Sequence, residues 1–222
     1  MSMNPTLTDW HGRRVWVVGA SSGIGRAVAS ALHARGAQVW VSARNADALA
    51  TFTTAHPGSH ALALDVTDAE SVAQAAQQVV ASGPLDMVCV CAGYYSAMRA
   101  DTLNVAEALK HQAVNVTGTW HVLAATLPGV LAQGKGHISL VGSVAGFRGL
   151  PKSLAYGPTK AALLHLDEVL YLDLQPRGIG VSVVTPGFVA TPLTAQNDFA
   201  MPALLTPEQA ADAMLQGWAR GE

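Results

Sequence analysis

The stretch RVWVVGASSGIG, residues 14–25, decides the fold class of this chain. Its first five residues form an apolar, β-branched run typical of a buried strand, and Gly19, Gly23 and Gly25 follow directly. An Ala-rich helical pattern is predicted next, over 24–35. A glycine turn between a strand and a helix presents backbone N–H groups at the helix N-terminus, where they bind phosphate groups. The stretch therefore predicts a phosphate-binding strand–turn–helix unit.

The rest of the chain repeats this alternation of strand and helix. Strands are predicted at 14–18, 38–42, 60–64, 87–91, 137–141 and 180–184, and helices at 24–35, 45–55, 68–81, 102–132, 154–175 and 207–218. The strand runs are nearly continuously apolar, as expected for strands covered by helices on both faces. The alternation predicts an α/β fold, in which residues 1–222 form a single Rossmann-type domain with a doubly wound parallel sheet.

Composition excludes several classes of protein. Half of the 222 residues are apolar and only 13% are charged, so the chain has a large interior and is not disordered. The net charge of −2, without a basic run, argues against nucleic acid as a partner. No apolar window is long enough for a membrane span, and the N-terminus lacks the pattern of a signal peptide. We expect a soluble, cytoplasmic protein.

Three side chains suggest acid–base chemistry. Tyr156 and Lys160 are four residues apart, which places them on one face of a predicted helix. A free tyrosine has a pKa near 10, and a neighbouring positive charge lowers that pKa towards the range useful for proton transfer. Ser143 follows the predicted strand 137–141, where its side chain can point into a crevice at the sheet edge.

With these residues the chain resembles the short-chain dehydrogenase/reductase (SDR) family. The resemblance covers nearly the whole chain and rests on the glycine turn, Asp65-Val66, Cys91-Ala92-Gly93, Asn115, Ser143, Tyr156 with Lys160, and Pro186-Gly187 followed by Thr191. It implies an NAD(P)-dependent oxidoreductase that interconverts a ketone or aldehyde and an alcohol by hydride transfer.

The resemblance also implies a role for each matching residue. Tyr156 would be the general acid/base, Ser143 would hydrogen-bond the substrate oxygen, and Asn115 would hold a water in the proton relay. Lys160 would bind the nicotinamide ribose and lower the Tyr156 pKa. We expect no metal ion. The residues expected to bind the dinucleotide are Gly19, Ser21, Ser22, Gly23, Ile24, Gly25, Arg44, Asp65, Val66, Cys91, Ala92, Gly93, Tyr156, Lys160, Pro186, Gly187, Val189 and Thr191.

The end of the second predicted strand bears on which dinucleotide binds. Dinucleotide folds that use NAD(H) place an acidic residue there to bind the ribose hydroxyls. Here the neutral Ala43 stands at that position, and Arg44, whose guanidinium suits a phosphate, follows it. We therefore predict NADP(H) rather than NAD(H). Ser22 is not the basic residue that often reinforces this choice in the family.

The chain departs from the family pattern at three places. Val18 stands where the family usually has Thr, and Cys91 where it usually has Asn. The family's last strand is expected to be missing after the predicted helix 207–218. Cys89 and Cys91 lie on one side of a strand, and we interpret them as core residues rather than a redox or metal pair.

The sequence also predicts a substrate pocket and contacts between subunits. We expect an apolar pocket for a small carbonyl compound or alcohol, closed by a lid over residues 192–205. Its expected lining is Ser143, Tyr94, Tyr95, Phe147, Leu150 and Phe188. A homodimer or homotetramer through helices 102–132 and 154–175 is predicted from an apolar stripe formed by Leu163, Leu166, Leu170 and Leu174. The alternative is that this stripe faces the core.

Two other functions also fit parts of the sequence. The same fold could bind a dinucleotide without turnover, as a sensor or regulator, although intact Ser143, Tyr156 and Lys160 argue against it. Residues 19–23 also fit the G-x-S-x-G pattern of serine hydrolases, with Ser21 as nucleophile. Chain order argues against that alternative, because only one strand precedes Ser21 and the last histidine, His165, lies inside a predicted helix.

Overall fold

A computed structural model describes residues 3–222 of the chain. Within them, six parallel strands form one sheet: β1 (Arg14–Val18), β2 (Gln38–Ala43), β3 (His60–Ala63), β4 (Met87–Val90), β5 (Gly136–Val141) and β6 (Ile179–Val184). Their spatial order is β3-β2-β1-β4-β5-β6. The order reverses between β1 and β4, and in such sheets ligands bind at this reversal, beyond the carboxyl ends of the strands. The predicted doubly wound α/β fold is confirmed.

Seven α-helices cover the sheet in the described part of the chain: α1 (Gly23–His33), α2 (Ala46–Ala55), α3 (Ala69–Ala81), α4 (Val105–His111), α5 (Gly118–Gln133), α6 (Tyr156–Leu174) and α7 (Pro207–Arg220). Helices α3, α5 and α6 contribute to the core on one face of the sheet, and α1, α2 and α7 contribute to the core on the other. None of the helices in residues 3–222 has both the length and the apolar character needed to cross a membrane.

The predicted helix over 102–132 is wrong as one continuous helix. Helix α4 ends at His111, a π-helical segment runs from Gln112 to Thr117, and α5 begins at Gly118. Gly118 packs against the loop between β3 and α3. A Cβ at Gly118 would lie 2.8 Å from the Val66 side chain. A π-helical insertion widens one turn and turns its side chains away from the helical face. Asn115, in this segment, is thereby turned towards α6.

The side of β6 away from β5 is covered by the N-terminal segment. No seventh strand follows α7 within residues 3–222, as predicted. Instead, the Asn4 side chain donates to the Val181 carbonyl at 2.8 Å and accepts from the Val181 N–H at 2.9 Å. Leu7 N–H also donates to the Trp218 carbonyl at 2.9 Å. The Asn4 amide thus forms hydrogen bonds with the edge strand β6 that a neighbouring strand would otherwise form.

The leucine stripe of α6 faces the core. Leu163, Leu166, Leu170 and Leu174 are all buried against β5 and β6, so the core alternative is correct and this stripe is not available to a partner. The reason is that α6 packs on β5 and β6, where its apolar side must cover the strands. The large apolar side chains that α6 exposes are instead Val169 and Leu172.

Candidate active site

A cavity of about 530 Å³ lies at the carboxyl edge of the sheet, where the strand order reverses. The structure brings together there every residue that the sequence assigned to dinucleotide binding, from Gly19 to Thr191. Ser143, Tyr94 and Tyr95 also line the cavity. The lining also contains residues to which the sequence assigned no role in dinucleotide or substrate binding: Val18, Ala43, Asn45, Leu64, Val114, Val141 and Gly142, and, from the predicted lid, Pro192, Leu193, Thr194 and Gln196. Many of them are neighbours of predicted residues at the strand ends.

The glycine turn forms one wall of this cavity. Gly19 has a φ of 95°, and a Cβ there would lie 2.4 Å from the Ala92 nitrogen, so no larger residue fits. Gly25 packs α1 against the turn, and a Cβ there would lie 2.3 Å from the Gly19 carbonyl oxygen. Among the described residues, N-cap Ser22 makes no side-chain cap bond to the first turn of α1. The glycine turn lets a ligand approach the backbone closely, and the first turn of α1 has N–H groups that no side chain caps. Both features suit the binding of dinucleotide phosphates.

Tyr156, Lys160 and Ser143 meet at the opposite wall. Tyr156 is the first residue of α6, and Lys160 lies one turn later with its Nζ 5.6 Å from the centre of the Tyr156 ring. The Lys160 ammonium donates to the Val141 carbonyl at 2.7 Å. Ser143 follows β5, and its Oγ accepts from the Ala145 N–H at 3.1 Å, which fixes the hydroxyl group at the strand end.

Burial controls the protonation of this group. It raises the pKa of Tyr156 to about 12, while the Ser143 hydroxyl lowers that pKa and the neighbouring Tyr95 raises it. Burial also lowers the pKa of Lys160 to about 8. The expected lowering of the Tyr156 pKa by Lys160 is not found, because desolvation of the phenol dominates and the ammonium is engaged by Val141. Tyr156 is therefore a neutral phenol at pH 7, which is a proton donor.

Asn115 supports the site from behind and does not line the cavity. Its side-chain Nδ2 donates to the Tyr94 carbonyl at 3.0 Å and to Thr159 Oγ1 at 2.9 Å. Its Oδ1 accepts from the Tyr94 N–H at 2.7 Å. The buried amide thus joins the loop after β4 to the first turn of α6. This fixes Tyr94 relative to the Tyr156 segment.

Cys91 forms part of the cavity floor at the end of β4. Its N–H donates to the Val18 carbonyl at 2.7 Å, which ties β4 to β1 at the point of reversal. The Cys89 and Cys91 sulfurs are 3.5 Å apart, so the two side chains lie on one side of the strand as predicted. Cys89 is fully buried, and its contact with Cys91 together with burial raises the pKa of its thiol. Cys89 behaves as a core residue.

The expected substrate residues separate into two groups. Tyr94 and Tyr95 line the cavity, and the Tyr95 ring meets the Tyr156 ring edge-on at a centroid distance of 5.1 Å. Phe147, Leu150 and Phe188 lie outside the cavity lining. Phe147 is 65% exposed, because the loop after Ser143 turns its side chain to the surface. Phe188 packs against Phe199 at 5.8 Å instead.

The predicted lid reaches the cavity only through its first residues. Pro192, Leu193, Thr194 and Gln196 line it, whereas residues 197–205 do not. The Gln196 Nε2 donates to the Tyr95 carbonyl at 2.9 Å, which fastens this segment to the substrate side. No periodicity marks Gln196 in the sequence, and only its place after Pro186-Gly187 could have suggested it.

Comparison with known proteins gives a consistent assignment. Residues 13–201 match the family model described as short chain dehydrogenase. The chain is 36% identical over 219 residues to an uncharacterized oxidoreductase of Myxococcus xanthus (strain DK1622), which covers 95% of this chain and 85% of the relative.

Solved structures show the same fold. A short chain dehydrogenase/reductase family protein superposes with a TM-score of 0.85 at 30% identity, covering 94% of this chain and 90% of that one. A structure named as a ribose-5-phosphate isomerase from Brucella melitensis 16M superposes with a TM-score of 0.88 at 31% identity, covering 96% and 89%. The family match spans the glycine turn, Ser143, Tyr156 and Lys160. This chain belongs to the short-chain dehydrogenase/reductase family of oxidoreductases.

Proposed function

We propose that this protein interconverts a ketone or aldehyde and an alcohol by hydride transfer, with Tyr156 as the general acid/base and NADP(H) as the preferred dinucleotide. The observation that supports this most is the position of the Tyr156 phenol. It is buried beside Ser143, in the same cavity as the glycine turn. A proton donor and a phosphate-binding turn in one cavity match a reaction that needs a proton and a dinucleotide.

In the reducing direction the proton moves from Tyr156. The Ser143 hydroxyl hydrogen-bonds the carbonyl oxygen of the substrate, and the neutral Tyr156 phenol donates its proton to the same oxygen. When bound, the reduced dinucleotide supplies the hydride that adds to the carbonyl carbon. The resulting Tyr156 phenolate is stabilised by the Lys160 ammonium, whose Nζ lies 5.6 Å from the ring centre. The reverse reaction uses the same groups, with the phenolate as base.

The phenolate must recover a proton after each reduction. Lys160, with its pKa lowered to about 8, can give up a proton near neutral pH and is on the same helical face. Asn115 is the residue that we propose to hold a relay water behind Lys160, as in the family pattern. Its side chain is already engaged with Tyr94 and Thr159, so its backbone carbonyl is the more suitable acceptor. That carbonyl already accepts from Thr119 Oγ1 at 2.9 Å, so the relay water would share this acceptor with Thr119.

The preference for NADP(H) rests on the end of β2. Ala43 is buried at the strand end, and Arg44 is exposed and lines the cavity. No acidic side chain follows β2 directly to repel a 2′-phosphate. Asp65, the nearby acid at the end of β3, has a lowered pKa: its hydrogen bonds from Thr67 and the Arg44 charge together outweigh burial. It therefore stays charged, and the Arg44 guanidinium provides the compensating positive charge.

Binding measurements test this preference. Charge-assisted hydrogen bonds contribute about 1.5–3 kcal/mol each, so NADPH should bind at least about tenfold more tightly than NADH. The Arg44→Asp variant should narrow or reverse that ratio, and Lys135→Gln, which removes an exposed cation before β5, should leave it unchanged. Equal affinities in the wild type, unmoved by Arg44→Asp, would contradict the NADP(H) proposal.

We also propose self-association through α5 and α6. Trp120 is 50% exposed on α5, and Leu172 is 71% exposed on α6 beside Val169. Both helices cover the same face of the sheet, and exposed large apolar side chains are typical of an interface between copies of a chain. A homodimer or homotetramer should be visible by light scattering, and Trp120→Glu with Leu172→Glu should dissociate it.

A panel of carbonyl compounds and alcohols tests the activity as a whole. Nicotinamide absorbance is followed with both dinucleotides in both directions, and aldehydes or ketones are expected to be reduced faster with NADPH. Tight dinucleotide binding without turnover of any compound would favour the sensor alternative. Esterase activity that disappears in Ser21→Ala would favour the hydrolase alternative and overturn the proposal.

A further inference from the structure

The loop that follows β4 carries Tyr94, Tyr95 and Ser96 past the cavity in irregular backbone. Its polar groups are bonded to α4 and to the π-helical segment that follows α4. The Tyr94 N–H donates to Asn115 Oδ1 at 2.7 Å, and the Tyr94 carbonyl accepts from Asn115 Nδ2 at 3.0 Å. The Ser96 N–H donates to His111 Nε2 at 3.0 Å. These two side chains thus satisfy backbone groups that no strand or helix pairs.

His111 is a fixed hydrogen-bond acceptor for this loop. It is the last residue of α4, and its side chain is fully buried. Because a backbone N–H can only donate, the Nε2 atom that accepts from Ser96 carries no proton. The proton of the ring is then on Nδ1, which donates to the Glu107 carbonyl at 2.6 Å. Both ring nitrogens are therefore engaged, which fixes the tautomer and the orientation of the imidazole.

The peptide groups on both sides of Tyr95 are held by side chains. The group before Tyr95 is held through its carbonyl by Asn115. The group after it is held through its carbonyl by Gln196 Nε2, at 2.9 Å, and through its N–H by His111. Gln196 is exposed, whereas His111 and Asn115 are fully buried. Since two planar peptide groups set the direction of the side chain between them, the buried pair determines where the Tyr95 ring points.

The Tyr95 ring lies beside the reacting centre. It lines the cavity and meets the Tyr156 ring edge-on at a centroid distance of 5.1 Å. In the proposed reaction Tyr156 and Ser143 bind the carbonyl oxygen of the substrate, so the two substituents of the carbonyl carbon must lie next to this pair. The Tyr95 ring occupies part of that space. A bulky substituent on its side would require the ring to move.

We propose that Tyr95 determines substrate specificity in this enzyme and that His111 is the positioning residue that holds Tyr95 in place. The Tyr95 ring limits the size of one substituent, so the preferred substrates carry at least one compact group, hydrogen or methyl, on the carbonyl carbon. His111 is outside the cavity lining and acts through the Ser96 N–H. The inference rests on the proposed carbonyl chemistry at Tyr156.

Pairs of ketones test the role of Tyr95. The two members of a pair share one group, and the other group is methyl in one member and phenyl in the other. In the wild type kcat/KM should be at least about tenfold higher for the methyl ketone. Tyr95→Ala opens the space beside Tyr156 and should remove most of this preference. The dissociation constant for NADPH should stay within about threefold of the wild-type value.

Two substitutions of His111 separate its two hydrogen bonds. His111→Gln keeps an acceptor near the position of Nε2, and the preference for the methyl ketone should stay within about twofold of the wild-type value. His111→Asn keeps only a group near the position of Nδ1, so it should lose most of the preference, as Tyr95→Ala does. In the Tyr95→Ala background, His111→Asn should change the preference no further. His137→Gln, at a buried histidine of β5 outside the cavity lining, is the matched control and should leave the preference unchanged.

The outcomes separate positioning from a purely structural role. If His111→Asn lowers kcat/KM equally for both ketones, or acts equally with and without Tyr95, His111 only stabilises the fold and the inference is overturned. If the wild type reduces methyl and phenyl ketones equally well, the inference is overturned while the proposed function stands. If the wild type turns over no carbonyl compound, the proposed function has failed and the inference falls with it.

Hydrogen exchange of the Ser96 amide decides the matter if His111→Asn does not fold. A buried acceptor should make this amide exchange slowly in the wild type and in His111→Gln. Exchange of the Ser96 amide as fast as that of the exposed Ala97 in the folded wild type would overturn the inference. Circular dichroism of each variant establishes that it is folded.

Discussion

Acidification should destabilise this protein through one buried histidine, His137 on β5. Its Nε2 lies 2.8 Å from Ser182 Oγ, which also accepts from Trp218 Nε1 at 3.2 Å and donates to Ser139 Oγ at 3.2 Å. We assign the proton of the neutral His137 ring to Nε2, where it can donate to Ser182 Oγ. Its Nδ1 has no partner in residues 3–222 and faces Gly180, where a Cβ would lie only 2.3 Å away. A proton on Nδ1 would be a buried, unpaired charge.

The size of the effect follows from the pKa. Burial lowers the pKa of His137 from 6.5 to about 4 in the folded protein. Above pH 6.5 the imidazole is neutral in both the folded and the unfolded state, so it contributes nothing. As the pH falls from 6.5 to 4, only the unfolded chain gains the proton, and the free energy of unfolding falls by about 1.4 kcal/mol per pH unit. The loss is about 2 kcal/mol at pH 5 and about 3 kcal/mol near pH 4.

Urea unfolding at pH 7.5 and pH 5 measures this loss. His137→Gln keeps an N–H donor for Ser182 but cannot be protonated, so the wild type should lose about 2 kcal/mol more than the variant between the two pH values. His165→Gln, on the exposed side of α6, supplies the baseline for removal of a surface histidine. If the wild type and His137→Gln lose the same free energy of unfolding, the reasoning about the buried imidazole is refuted.

Two further substitutions test the packing of α6 and of the glycine turn. Burial, with the charge of Glu168, raises the pKa of Asp167 to about 6, and its Oδ1 has no partner in the described chain. After allowance for its partial exposure, Asp167→Asn should raise the free energy of unfolding by about 1 kcal/mol at pH 7.5 in urea melts. That gain should vanish below pH 4, where the native carboxyl is neutral, and a gain independent of pH would contradict this explanation. Gly25→Ala should weaken NADPH binding at least tenfold by calorimetry, because its Cβ would lie 2.3 Å from the Gly19 oxygen. Gly129→Ala on α5, with nothing within 4 Å, is the matched control, and equal affinities of the two variants would argue against a tight turn.

The strands and the meeting of the predicted dinucleotide residues in one cavity could be predicted, because local pattern and topology agree. Five of the strands are short, largely buried runs rich in β-branched residues, whereas the edge strand β3 (HALA) is mostly exposed; all six lie within one residue of their predicted bounds. Because the strands are parallel, the residues that follow their carboxyl ends lie at the same edge of the sheet. Gly19, Arg44 and Asp65 are far apart in sequence and line one cavity for that reason.

Other features depend on contacts that no local pattern encodes. The π-helical segment at Asn115 depends on bonds to Tyr94 and Thr159, which belong to other elements. The path of the loop after Ser143 is irregular, so the outward direction of Phe147 could not be read from periodicity. The Asn4 contact with β6 joins residues 177 positions apart. The burial of the α6 leucines required knowing which side of that helix faces the sheet.

Removal of the Tyr156 hydroxyl group tests most directly the claim that Tyr156 is the general acid/base. Tyr156→Phe removes the proposed proton donor and leaves the glycine turn and Asp65 in place. We expect turnover of the best carbonyl substrate at saturating NADPH to fall by about 10²–10⁴-fold. The dissociation constant for NADPH, measured on the same preparation, should stay within about threefold of the wild-type value. Turnover near the wild-type rate in Tyr156→Phe would contradict the assignment of Tyr156 as the general acid/base.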